Sequence, residues 1–414
     1  MQDRELYEHL FELKRPWYVS RVELNMGEQR VNVWVDHEKG WPFQCPVCQK
    51  SCGLYDHEAE REWRHLDTCQ FHTYLYARIP RIQCSEHGVR QARVSWAEPR
   101  ARFTLLFERF AIDVFRAADV SNSTRILRIS WDEGEHLMRR AVERGLARRE
   151  GNWPERIGID EKSIARGQKY ATVLCDLDRS AVIEVAEGRT IESCVGCLKA
   201  LPVGSTERLK AIAMDMWKPY IQGISSRVPG GRAKIVFDRF HVMMHINNAL
   251  DLIRRKENKM LIERGDDRLK GSKYLWLRAY EKMTEKQAES FESLRAEALK
   301  TSRAWSIKET LRGLWQQSDY WTGWSYLRRW HNWATHSRLE PIIKVARMIR
   351  EHEVNILSYF EHPITNAVAE ALNSSIERIK KSAYGFRNFG NFRIRVLFHC
   401  GGLSMYPSTH PEAG

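Results

Sequence analysis

The chain has 414 residues, 43% hydrophobic and 29% charged, with a formal net charge of +13. That length exceeds what one core usually organises, so two or more domains are expected. Its apolar runs are too short for a bilayer span and its N-terminus lacks an apolar signal core, which excludes a membrane protein and leads us to expect a cytoplasmic one. A basic balance favours a polyanionic partner, because phosphate contacts release condensed counterions.

Residues 1–95 open with a short helix-like stretch. WYVSRVELNMGEQRVNVWVDH then alternates apolar and polar residues about a Gly-containing turn, the pattern of a β-hairpin. Of nine cysteines, five fall between positions 45 and 84. In a cytosolic chain such clustering points to metal rather than disulfides. Cys45-Pro-Val-Cys48 has zinc-knuckle spacing, and Cys84 with His87 repeats the separation after a strand-like stretch. The leading site is therefore a Cys3His zinc centre, with Cys52, Cys69, His65 and His72 as spare ligands. Four protein ligands leave no open position, so the zinc is expected to be structural.

From 96 to 152 the pattern turns helical. FTLLFERFAIDVFRAA, a polar turn at DVSNS, TRILRI and SWDEGEHLMRRAVERGLARR read as three helices resembling a helix-turn-helix DNA reader. Arg139, Arg140 and Arg144 of the basic last helix are expected to contact phosphates.

Residues 153–241 alternate differently. Strands are predicted at RIGID, KYATVLCDLD and AVIEVAEG, a helix at TIESCVGCLKALP, a strand at RLKAIAMD, a helix at WKPYIQGISSRV and a strand at AKIVFD. This α/β layer order matches a ribonuclease-H-like core. Residues 242–362 read as a helical insertion rich in tryptophan (Trp276, Trp305, Trp315, Trp321, Trp324, Trp330, Trp333), expected to be core packing between helices. Residues 363–402 supply a final helix and a basic segment, and the tail 403–414 is expected to be disordered.

Three carboxylates stand out. Asp160 and Asp215 end the short apolar runs IGID and AIAMD. Glu370 sits on the final helix, in a polar stripe with Asn366, Asn373 and Glu377, opposite an apolar stripe of Ile364, Val368, Leu372, Ile376 and Ile379. Acids at the ends of core elements are costly unless compensated, and a pair of divalent cations would compensate them. Phosphoryl transfer needs that arrangement: two ions held by hard oxygen ligands activate the attacking oxygen and stabilise the leaving one. Mg²⁺, or Mn²⁺, is the expected ion. Glu161 rivals Asp160, although strand alternation points it away. Glu377 rivals Glu370, although Lys380 or Lys381 is its natural partner. Asp238 and His241 form an Asp-x-x-His pair that reads as a metal or DNA contact, or as a cap on the next helix. Lys380 and Lys381 open a basic segment expected to touch DNA.

The order CPVC, helical segment, GID, DMW, DRFHV, then EALN with YGFRNFGNFRIR resembles bacterial insertion-sequence transposases of the ISL3 family, from about residue 40 to 402. That resemblance implies a zinc-binding domain, a helix-turn-helix, and a DDE core of ribonuclease-H-like fold with a helical insertion before the last acid. It implies Asp160, Asp215 and Glu370 as the catalytic, magnesium-binding triad, Asp238 and His241 as a supporting signature, and Tyr384, Arg387 and Asn388 as a DNA-contacting motif after Glu370. It further implies binding of terminal inverted repeats, cleavage and strand transfer of double-stranded DNA, a homo-oligomer and nucleoid association. Two departures are visible: His87 where relatives often carry cysteine, and Ala on both sides of Glu370. A catalytically silent DNA-binding protein of the same fold is the rival reading, against which the complete acid triad argues.

Overall fold

The computed structural model describes residues 3–149, 153–165, 169–202, 204–297, 299–364, 367–386 and 388–408. They form two compact units, Met1–Glu150 with Leu403–Gly414, and Gly151–Gly402.

In the first unit, strands Trp17–Asn25 and Arg30–His37 form the expected hairpin. Strand Phe71–Ala77 pairs parallel to Arg30–His37 and antiparallel to Arg61–Thr68, completing a four-stranded sheet. Val33, Leu75, Trp63 and Trp96 fill its buried side. A second sheet joins Leu54–His57, Pro80–Cys84 and Gly88–Gln91.

Three helices follow, Leu105–Ala117, Val120–Leu127 and Trp131–Ala147. Each begins where a short polar side chain can satisfy an orphan N–H: Thr104, Asp119 and Ser130 accept from Phe107, Asn122 and Glu133. Gly134 permits a close approach, since a Cβ there would sit 2.8 Å from Thr124 and 3.0 Å from Phe115. Residues 403–408 depart from the expected disorder. Leu403 and Met405 are buried, and a Cβ on Gly145 would lie 2.7 Å from Leu403. The apolar side chains of this segment give it a surface to bury, which its Pro/Ser/Thr composition obscured.

The second unit carries a five-stranded sheet. Its strands are β1 (Arg156–Ala165), β2 (Lys169–Asp176), β3 (Ala181–Glu187), β4 (Ala211–Met214) and β5 (Ile235–Phe237). The order is β3-β2-β1-β4-β5, with β3, β2 and β1 antiparallel and β1, β4 and β5 parallel. All residues of β4 and β5 are buried, as expected for parallel strands covered on both faces. Helices α1 (Ile191–Leu198) and α2 (Lys218–Arg227) pack together where Gly223 leaves room for Cys194.

Helix α3 (Arg239–Ile262) leads from β5 into the helical segment. There Trp276, Trp305, Trp315 and Trp330 are buried as expected, with Trp330 donating to the Ile307 carbonyl at 2.8 Å. Trp321 and Trp333 depart from that expectation and are exposed, Trp321 at 72%. Trp321 opens the first turn of its helix, ahead of the stripe that packs. The chain closes with α4 (Ala367–Ser382) and α5 (Phe389–Cys400), the latter tied to β3 by a bidentate Arg393–Glu184 pair at 2.6 and 2.7 Å.

Candidate active site and zinc centre

The parallel ladder sets the geometry of the acidic cleft. Ile159, Met214 and Phe237 lie in register across β1, β4 and β5. The residue after each is an aspartate, so Asp215 and Asp238 emerge from the ends of β4 and β5 beside Asp160, which lies within β1 where its pairing to β4 stops. Glu370 stands on the first turn of α4, and all four carboxylates line one open cleft with Glu161, Lys162, Phe240, His241, Asn373, Ser374, Glu377, Arg378 and Lys381.

Asp215, Asp238 and His241 form its tightest cluster, their donor atoms all lying within 4.8 Å of one another. His241 Nδ1 is 2.6 Å from Asp215 and 3.0 Å from Asp238. Burial pushes the imidazole pKa down, but the bonds to both carboxylates outweigh it and lift the pKa to about 10. Burial raises Asp215, against the pull of His241. Asp238 also caps α3, accepting from the Phe240 N–H at 3.0 Å, so the Asp-x-x-His pair is both a cap and part of the acidic cluster.

Asp160 and Glu370 line the cleft outside that tight cluster. One Asp160 oxygen accepts from Asn373, which fastens α4 to the middle of β1, and the other accepts from the Glu161 N–H at 2.7 Å. Glu161 turns instead to Arg189 at 3.4 Å. Glu377 pairs with Lys380 at 2.8 Å, and Lys380 also donates to the Ser163 carbonyl.

The cleft-facing roles of Asn373, Lys162 and Arg378 were not singled out from the sequence. The signal was present: Lys162 shares a strand face with Asp160, while Ser374, Arg378 and Lys381 continue the Glu370 face at helical spacings. Tyr384 is 99% exposed at φ 51°. Asn388 spends its side-chain oxygen capping α5, on the Gly390 N–H at 2.6 Å. Arg387 lies outside the described residues.

The donors suit a hard divalent cation. Asp160, Asp215, Asp238 and Glu370 offer carboxylate oxygens on one cleft.

In the first unit Cys45, Cys48, Cys84 and His87 converge. The Cys48–Cys84 sulfur separation is 3.7 Å, while His87 Nδ1 lies 3.8 Å from Cys45 and 3.6 Å from Cys84. Zn–S bonds of about 2.3 Å at a tetrahedral angle give edges of about 3.8 Å, so the donors stand at the corners zinc requires. The Glu86 and His87 backbone N–H groups hold the Cys84 thiol at about 7, favouring the thiolate. The spare candidates have other surroundings. Cys52 donates to the Lys50 carbonyl, Cys69 is exposed, His65 meets Thr104, and His72 meets Arg64.

Arg144 requires a correction as a phosphate contact. Its side chain is 7% exposed and is held by Glu98 at 2.7 Å and Glu108 at 2.5 Å. Arg140 joins the same network, at 2.9 Å from Glu98 and 3.3 Å from Glu108, whereas Arg139 meets Glu135 at 3.5 Å. A guanidinium enclosed by two carboxylates is committed to the bundle's interior. Sequence position on a basic helix could not show that.

Residues 157–396 match a transposase family model of the ISL3 DDE type, and residues 41–87 match the zinc-finger of transposase IS204/IS1001/IS1096/IS1165. The transposase for insertion sequence element IS1001 of Bordetella parapertussis is 25% identical over 361 residues, 85% of this chain and 87% of that protein. The transposase for insertion sequence element IS1557 of Mycobacterium tuberculosis is 26% identical over 372 residues, 83% of each chain. No helix among the described residues is long and apolar enough to cross a membrane. The acidic cleft at the strand ends and the zinc ribbon thus fall inside the two matched segments, and the chain belongs to the ISL3 family of DDE transposases, metal-dependent enzymes of insertion sequences.

Proposed function

We propose that the protein binds the terminal inverted repeats of its insertion sequence and catalyses Mg²⁺-dependent cleavage and strand transfer, with Asp160, Asp215 and Glu370 as the catalytic carboxylates. The observation that carries this reading is their presence on one open cleft, where Asp160 within β1 and Asp215 after β4 stand on adjacent parallel strands and Glu370 faces them from α4. The β3-β2-β1-β4-β5 order, with its antiparallel and parallel halves, supports a ribonuclease-H-like core made of residues 153–241 and 363–402, interrupted by the helical insertion 242–362. The three capped helices within 96–152 support a helix-turn-helix, following a zinc-binding module in 1–95.

Divalent cations bound by the carboxylates would supply Lewis-acid stabilisation of the attacking and leaving oxygens. The chain's own groups prepare the site. Asn373 orients Asp160, and His241 with Asp238 orients Asp215. Lys162, Arg378 and Lys381 place positive charge along the cleft for the phosphates of a DNA strand. Tyr384 stands exposed for a DNA contact, and Arg139 is the phosphate contact we retain on the third helix. Double-stranded element ends and target DNA are the proposed partners, with the enzyme working as a homo-oligomer.

The test is incubation with element-end DNA and Mg²⁺. Wild type is expected to nick and join; Asp160→Asn, Asp215→Asn and Glu370→Gln are each expected to abolish both while DNA binding persists. A wild type without nicking or joining, or three fully active variants, would overturn the reading.

A further inference from the structure

The first unit contains a cavity of about 490 Å³ beside the zinc knuckle, within the size range of small-molecule sites. Trp63, Ile79 and Leu105 line it with apolar surface, and Arg61, Arg90, Arg93 and Arg100 line it with positive charge. Elsewhere in this unit arginines meet carboxylates: Arg15 with Glu38, Arg64 with Asp67, Arg81 with Asp56, Arg144 with Glu98. Among the described residues the four cavity arginines have no carboxylate within ion-pair distance. Glu98 is the one acid in the lining, and it is already held by Arg140 and Arg144.

Two of these arginines are fixed in place by backbone carbonyls. Arg61 donates to Ala101 at 2.5 Å, with its guanidinium 5.0 Å from the Trp63 ring. Arg93 donates to Pro46 at 2.9 Å and so ties the cavity to the Cys45–Cys48 turn.

We propose that this cavity takes one unpaired nucleotide, its base on the apolar lining at Val94 and Pro99 and its phosphate on the arginine rim. Guanidinium forks match phosphate oxygens, and an apolar floor accepts the flat faces of a base. Either a free nucleoside monophosphate or an unpaired nucleotide within a DNA strand carries that chemistry.

The probe is 2-aminopurine, presented to the full-length protein without added divalent cation, as the deoxynucleoside 5′-monophosphate, in a single-stranded oligonucleotide, and in a fully paired duplex. Binding of the single strand is expected to quench its fluorescence several-fold. Arg90→Ala/Arg100→Ala, both at exposed positions, is expected to weaken that binding at least tenfold with zinc content unchanged. Quenching of the monophosphate as strong as that of the strand would support the cavity with a free nucleotide as its ligand. No quenching of either probe, equal quenching of the paired duplex, or an unaltered response in the double arginine variant would overturn the proposal. Asp160→Asn protein is expected to bind the probe as wild type does, so loss of catalysis and loss of this site are separable.

Discussion

Replacing Arg144 by Gln separates a structural role from a DNA-contacting one. Arg144 lies 2.7 and 2.9 Å from the Glu98 oxygens and 2.5 Å from Glu108, and donates to the Met405 carbonyl at 2.6 Å. Glu108 has 3% of its side chain exposed, so the substitution strands a buried carboxylate. Removing one partner of a buried pair costs about 3–5 kcal/mol. Arg140 stays within reach of both acids, which brings the expected loss to about 2–3 kcal/mol. At roughly 2–4 °C per kcal/mol for a unit of this size, the melting temperature should fall by about 5–10 °C. The loss should depend on pH. Burial already holds the Glu108 carboxyl above its ordinary value, despite Arg144 and Arg140, and removing Arg144 raises it further. A folded state that binds a proton more tightly than the unfolded one is favoured below the ordinary carboxylate pKa and loses stability as pH rises through the folded value. The deficit should therefore be small near pH 4 and full near pH 7. Thermal unfolding followed by circular dichroism reads both effects, and the Glu108→Gln/Arg144→Gln pair should recover part of the loss. If Arg144→Gln melts like wild type at pH 7, and the dependence of log K on log salt for DNA binding drops by about one phosphate contact, the assignment of Arg144 to the interior is wrong.

Serine at Cys45 and Cys84 should release zinc and unfold the small sheet around it; a double variant with full metal content would contradict the Cys3His assignment. Asn373→Ala frees Asp160 from α4, and should raise the Mg²⁺ concentration needed for cleavage by about 10–100-fold, the usual effect of losing a residue that orients a ligand. An unchanged Mg²⁺ titration would show that the contact does not position Asp160. Trp330→Ala should cost about 3–5 kcal/mol by chemical denaturation, as for other buried aromatics. Trp321→Ala, at an exposed site, should stay within about 0.5 kcal/mol; equal losses would contradict their different burial.

Local patterns carried much of this molecule. Alternation about Gly27 gave away the hairpin, and the Cys-x-x-Cys and Cys-x-x-His spacings marked the four residues that converge on the zinc site. Short apolar runs ending in Asp215 and Asp238 marked two strand ends, because a buried parallel strand must stop where a carboxylate needs solvent or a cation, whereas the strand expected to end at Asp160 continues to Ala165 through its antiparallel pairing with β2. Contacts joining distant segments were not legible. Glu98 and Glu108 enclosing Arg144, Leu403 seated on Gly145, and Glu257 accepting the Lys300 and Thr301 N–H groups each depend on how elements pack.

The acidic cleft shows how the two kinds of information combine. Each aspartate is encoded by its own strand, and parallel register alone brings the three side by side. Glu370 has no such constraint, since it arrives on a helix that follows a long insertion. That helix is held by the burial of Ala369, Leu372 and Ile376 on its apolar face and, beside the cleft, by Asn373 to Asp160 and Lys380 to the Ser163 carbonyl. Hydrogen bonds of this kind contribute about 1 kcal/mol each, far less than the packing that fixes the strands. The strand-borne acids are placed by the parallel ladder, whereas Glu370 is placed by a helix whose apolar face is buried and whose cleft side is tied by two hydrogen bonds. Glu370 therefore owes its place to packing across the insertion, which no local pattern encodes.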